Sequence, residues 1–134
     1  AVSRLARELG VPDSRVHAVP IQFDADGSYC RFDEDCPLTR GGGKRVVCQR
    51  VIAAHAGRSA LVGDGGTDLE VRGICDLIVG FGGVVSRTLM RAQADAFVEG
   101  PTLFPVLGLL LTRGERDRLR EFGLAFVLEL AAGD

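Results

Sequence analysis

The sequence predicts an α/β fold built on a parallel sheet. Three features carry this. Short apolar, β-branched runs recur at 15–23, 59–62 and 75–80. Stretches with helical spacing of apolar residues alternate with them. The turns after the later runs are rich in glycine and aspartate, the composition expected where parallel strands reach their carboxyl ends.

Each element has its own signals. "VSRLARELG" sets Leu5 and Leu9 four apart among charges and stops at Gly10 with Pro12 behind it, a short amphipathic helix. "RVHAVPIQF" reads as a strand whose second half lies at an edge or bulge, because Pro20 has no N–H to donate. "DADGS" and then "YCRF" predict a hairpin. "PLTRGGGK" is a glycine-rich loop leading into the helix "KRVVCQRVIAAHAG", with Val47, Val51 and Ala54 on one face and Gly57 as the stop. "SALVGD" is a strand meeting a turn, and "TDLEVRG" reopens a helix with Thr67 or a neighbour as cap. "CDLIVGFGG" is a buried strand ending in glycines. "VSRTLMRAQA" is helical, "DAFVE" a short strand and "TLFPVLGLLL" a helix with Pro105 near its start. One last helix is expected from Glu115 to Ala131.

A length of 134 residues predicts one domain, residues 1–134, with 112–134 as an additional C-terminal helical segment. A net charge of −2 argues against a nucleic-acid-binding surface. The apolar run "LFPVLGLLL" is too short to span a bilayer, and no secretion signal is visible. Cys30, Cys36, Cys48 and Cys75 lack zinc-ligand spacing and read as buried or half-buried thiols of a reducing cytoplasm. His17 and His55 stand alone and read as surface or strand-end residues.

The most informative stretch is "VGDGGTDLE", 62–70. Asp64 follows a buried strand and Asp68 comes four later. Gly63, Gly65 and Gly66 let the backbone turn tightly and approach a ligand. Two carboxylates so placed suit a hard cation such as Mg²⁺, which takes few carboxylates plus water and phosphate oxygens. A plain strand-to-helix loop with capping acids fits the same letters. Lys44, after a glycine run at a helix start, can aim its ammonium at a phosphate or simply be solvated. "GFGG" at 80–83 either shapes the same rim or makes an ordinary turn.

In this order, "GGK" before a helix, "LVGDGGTDLE" and "CDLIVGFGGVVSR" resemble the C-terminal half of the phosphoserine phosphatases, which are haloacid dehalogenase-like hydrolases. The resemblance runs from about Leu5 to about Leu111 and includes the segment from "ELGVPDSRV" through the hairpin. It implies a Rossmann-like parallel sheet with flanking helices, lacking the family's first two strands. It implies a cytoplasmic enzyme of serine biosynthesis that hydrolyses a small phosphomonoester, O-phospho-L-serine, with Mg²⁺. Lys44 would hold the phosphate and Asp64 would be the metal ligand. Asp68 would bind through water or orient the site, Thr67 would contact phosphate or substrate, and Gly43, with Gly42, would let the lysine loop pack closely. Arg87 receives no role.

The family reacts through an aspartyl nucleophile in a D-x-D-x-S/T loop, with a second aspartate protonating the leaving oxygen. "DADGS" has those letters but precedes Lys44 by only about twenty residues, and its D-G step before "YCRF" is a hairpin signal. Asp24 and Asp26 are therefore expected to turn the chain. The nucleophile is then missing, and with it two strands that the resemblance places between the strand near Val16 and the strand near Leu61. Each buried backbone group left unpaired costs on the order of 1–3 kcal/mol, against a net domain stability of roughly 5–15 kcal/mol. The sheet is expected to be completed by a missing N-terminal segment or a second chain. The chain alone is expected to be inactive. Two other readings stay open: a non-catalytic α/β module of this fold that binds a phosphorylated ligand or protein partner, and an enzyme for another small phosphomonoester.

Overall fold

The computed structural model describes residues 2–83 and 88–132. The chain forms two compact units, Ala1–Ala54 and His55–Asp134.

The first unit opens with α1 (Val2–Glu8). Gly10, at φ +69°, ends it, and the Val11 N–H reaches back to the Ala6 carbonyl at 2.8 Å. Ala6, not Leu5 or Leu9, is its buried residue. This seven-residue helix turns its small side chain inward and leaves both leucines exposed. The strand expected over 15–23 shrinks to β1 (Ile21–Phe23). Residues 16–19 find no partner strand among the described residues, so their β-branched composition is not converted into a ladder. β1 pairs antiparallel with β2 (Tyr29–Phe32), matching Ile21 to Phe32 and Phe23 to Tyr29 across a bulge. The expected alternation of burial is absent, because both strands are exposed throughout. Between them, "DADGS" is the hairpin turn. The Asp24 N–H donates to the Ser28 carbonyl at 2.8 Å, the Gly27 N–H donates to the Asp24 carbonyl at 2.9 Å, and Gly27 takes φ +85°. A 3-10 turn (Pro37–Thr39) then leads into α2 (Gly43–Ala54).

The second unit holds the parallel sheet: β3 (Ala60–Gly63), β4 (Leu77–Phe81) and β5 (Ala96–Val98), in spatial order β3-β4-β5. A 3-10 segment (Gly66–Val71) links β3 toward β4, and α3 (Thr88–Gln93) precedes β5. The first part of the helix expected from Val85, with Arg87, lies outside the described residues. After β5 come α4 (Phe104–Leu110), α5 (Arg113–Glu121) and α6 (Ala125–Ala132).

β4 is buried on both faces, as the central strand of a parallel sheet requires. Val79 packs with Val98 and Val106 on one side, joined by Leu77, Phe81 and Leu110. The strand starts are pinned by side chains. Asp76 accepts from the Ser59 N–H at 2.7 Å and its hydroxyl at 2.9 Å, and Asp95 accepts from the Ile78 N–H at 2.7 Å.

The single last helix expected over 115–131 is two helices. Thr112 and Glu115 cap α5 reciprocally: Glu115 Oε2 accepts the Thr112 N–H at 2.7 Å while Thr112 Oγ1 accepts the Glu115 N–H at 3.3 Å. Gly123, at φ +73°, breaks the run before α6, which packs on α4. Apolar periodicity continues through residues 119–131 and masks that break in the sequence.

A glycine-rich turn at the end of a parallel strand

β3 ends at Gly63, and the chain turns through Asp64 and Gly65 into the 3-10 segment. Asp64 is exposed at the strand's carboxyl end. It borders a groove of about 300 Å³ lined also by Val62, Gly63, Phe81 and Leu103. Thr67 is exposed as well. Asp68 is the opposite case: only 6% of it is accessible, and it is the buried charged residue among those described. Its Oδ2 accepts the Gly65 N–H at 2.9 Å, while its own N–H donates to the Gly65 carbonyl at 3.0 Å. The carboxylate thereby fastens the turn that presents Asp64.

Gly63 makes room for this. A Cβ there would lie 2.8 Å from the Asp68 Cβ and closer still to its carboxylate. A side chain at 63 would push Asp68 out of place. The glycines of "GFGG" serve packing. A Cβ at Gly80 would fall 2.5 Å from Phe97 Cδ2 and 3.1 Å from Met90 Cγ, and one at Gly82 would meet the same ring at 2.9 Å. Between those glycines, Phe81 lines the groove beside Asp64.

The lysine loop sits in the first unit. Gly43 is buried at the start of α2, and its N–H donates to the Arg40 carbonyl at 3.1 Å. A Cβ on it would stand 2.5 Å from the Pro37 carbonyl carbon and 3.0 Å from Leu38 Cα. Gly42, at φ +79°, makes the turn before it. Lys44 is then the second residue of a twelve-residue helix, half-buried, in the field of the helix N-terminus.

The structure thus brings Asp64, Thr67 and Asp68 together in one turn of the second unit, and Gly43 and Lys44 together at the head of α2 in the first. Sequence reasoning missed the groove walls Phe81 and Leu103, because nothing in an apolar letter marks it as a wall. It also missed that Asp68 is buried; the i, i+3 relation of Gly65 to Asp68 at a helix start carried that signal. Asp26 accepts the Ser28 N–H at 2.9 Å, and this bond, first among its contacts, holds the pKa of its carboxyl below the usual value. All four cysteines are free thiols, with Cys30 exposed against expectation because it sits in the fully exposed β2. Among the described residues no group of three or more histidine, cysteine or acidic side chains is gathered to hold a metal ion. Asp64 nonetheless fits Mg²⁺, which binds through one or two carboxylates and fills its other positions with water and phosphate oxygens. No helix of the described residues is long and apolar enough to cross a membrane.

Comparison with known proteins places this geometry. The fold matches the crystal structure of a phosphoserine phosphohydrolase-like protein from Francisella tularensis, with a TM-score of 0.67 over 82% of this chain and 50% of that one, at 17% identity. The architecture is that of the haloacid dehalogenase-like hydrolases. In sequence, the chain is 34% identical over 98 residues to the phosphoserine phosphatase of Bos taurus, covering 72% of this chain and 44% of that protein. It is 35% identical over 97 residues to the chloroplastic phosphoserine phosphatase of Arabidopsis thaliana, covering 70% and 33%. No family model matches. The chain is a relative of the phosphoserine phosphatases, and it spans less than half the length of these curated relatives.

Proposed function

We propose that this chain is one part of a cytoplasmic, Mg²⁺-dependent phosphomonoester hydrolase acting on O-phospho-L-serine, and that it contributes the metal- and phosphate-holding side of the site. The observation that carries this reading is the turn itself: an exposed Asp64 at the carboxyl end of a parallel strand, presented by glycines and fastened from beneath by buried Asp68. The similarity to phosphoserine phosphatases supports the substrate class.

Asp64 would hold Mg²⁺ by one carboxylate. The ion, when bound, would offset the negative charge of the phosphate and polarise its oxygens. Lys44 would add a positive charge at the head of α2, where the helix dipole favours an anion. Gly43 lets that helix start lie against Pro37, so the lysine is held on a fixed backbone. Thr67 would donate its hydroxyl to a substrate oxygen. Asp68 acts as a positioning residue for Asp64.

The aspartyl nucleophile comes from polypeptide outside these residues in this reading. Asp24 and Asp26 support it by lying in a hairpin turn, where the Asp26 carboxylate is tied to Ser28. That same turn favours a second reading, a non-catalytic module that binds a phosphorylated ligand without cleaving it.

The test is release of inorganic phosphate from O-phospho-L-serine with Mg²⁺. The proposal expects none from the chain alone. It expects turnover when the rest of the enzyme is supplied, lost in Asp64→Asn and Lys44→Ala. Binding of phosphoserine with no turnover under both conditions would support the module instead.

A further inference from the structure

Helix α6 carries more apolar surface than the fold uses. Its residues, Ala125–Ala132, hold one charge, that of Glu129. One side packs on α4. Ala131 is buried there, Val127 and Leu128 are half-buried, and a Cβ on Gly108 of α4 would stand 3.4 Å from the Ala131 carbonyl oxygen. The other side is open. Phe126 is 53% exposed, and Leu130, four residues on and so on the same face, is 49% exposed. The Gly123 turn that leads into the helix adds Phe122 at 77% and Leu124 at 38%. A helix apolar on all sides belongs in an interior, and this one has an interior on one side only. The four side chains leave open on the order of 400 Å² of apolar surface, a patch of the size that marks interaction sites on single chains.

We infer that the open side of α6 is the contact surface for a second copy of this chain, joined about a twofold axis. Area argues for a copy. Face to face, two such patches hide roughly 800 Å² of apolar surface, which meets the apolar share, about 56–65%, of an interface of about 1,200–1,400 Å² in total. A twofold contact lets one patch serve both partners. On the sequence reading, the resemblance to the phosphatases ends near Leu111, ahead of α5 and α6, so this face has no counterpart for the rest of a phosphatase to cover. Glu129 sets the crossing. Antiparallel α6 helices crossing at Phe126 stack the two phenylalanines and keep each Glu129, three residues along, roughly 9 Å from its copy along the helix direction. A crossing at Leu130 would press the two carboxylates together. The inference does not depend on the proposed function.

The experiment follows the mass of the full chain by sedimentation equilibrium as its concentration rises through the micromolar range. The mass is expected to climb from 14.3 kDa to twice that value, and Phe126→Glu or Leu130→Glu to weaken the association at least tenfold. Both side chains are about half exposed, so the single chain should keep its fold, which circular dichroism checks. Phe23→Glu and Leu103→Glu, at exposed apolar residues elsewhere, should leave the association unchanged. A chain that stays single throughout overturns the inference, as does a dimer that survives both α6 changes or dissolves in either control. So does a single chain whose α6 amides gain protection only when the remainder of a phosphatase is added, which would give the face to that polypeptide. With the native cysteines changed to serine, Ala125→Cys should cross-link two copies under oxidation and Ala132→Cys should not. The reverse overturns the crossing at Phe126.

Discussion

The Asp68 carboxylate lies directly over Gly63, so close that a methyl group on that glycine would overlap it. From there it takes the Gly65 N–H at 2.9 Å. Residue 63 must therefore lack a side chain for residue 68 to hold the turn. Gly63→Ala is expected to rotate Asp68 away and lose its bond to Gly65. Overpacking of this kind costs about 1–3 kcal/mol. Urea denaturation should show the loss, and exchange at the Gly65 amide should quicken. An unchanged amide would mean that Asp68 does not fasten the turn.

Gly80 stands in the same relation to Phe97, its partner across the β4–β5 ladder. Gly80→Ala is expected to destabilise by about 1–3 kcal/mol through its clash with the ring and Met90. Shrinking the ring should relieve the clash. The double variant Gly80→Ala/Phe97→Leu is expected to be less destabilised than the sum of the two single variants, as contacting residues couple. Additive losses in the double-mutant cycle would contradict the packing role.

At the head of α2 the obstacle is backbone, which cannot swing aside. Gly43→Ala is expected to cost at least as much as Gly80→Ala, because its Cβ would meet the carbonyl of Pro37. The same variant should weaken phosphate binding by displacing Lys44, and Lys44→Ala should weaken it without the clash at Pro37. Isothermal titration with inorganic phosphate and thermal melts read the two effects separately.

The strand-start clamp predicts a pH dependence. Hydrogen bonds from the Ser59 backbone, then from its hydroxyl, hold the Asp76 carboxyl below its usual pKa, with Arg58 adding to the effect. A carboxyl lowered in the folded state stabilises fully above its unfolded value, about 3.9, and the contribution fades as pH falls through the lower folded value. The melting temperature of the native chain should exceed that of Asp76→Asn near neutrality. The gap should close below about pH 4. A gap that persists or widens in acid would contradict the clamp.

Much of this was legible in the letters. "VGDGGTDLE" foretold a turn at a strand end, and "DADGS" before "YCRF" foretold a hairpin turn. Both signals are local, carried by glycine and aspartate at fixed offsets. What failed was what depends on partners. Residues 16–19 have strand composition yet form no strand, because a ladder needs a neighbour that composition cannot supply. The break at Gly123 was hidden inside an apolar run, and one glycine in helical spacing is a weak mark. The groove beside Asp64 needed coordinates, since Phe81 and Leu103 are distant in sequence and meet only through the fold.

The most direct measurement is phosphate release from O-phospho-L-serine in Mg²⁺ by the chain alone, repeated with Asp24→Asn and with Asp64→Asn. No turnover is expected from any of the three, because in the proposed function the acid at 64 is a metal ligand and not the nucleophile, and the acid at 24 turns a hairpin. Turnover by the unaltered chain that disappears in Asp24→Asn would contradict the account at its centre.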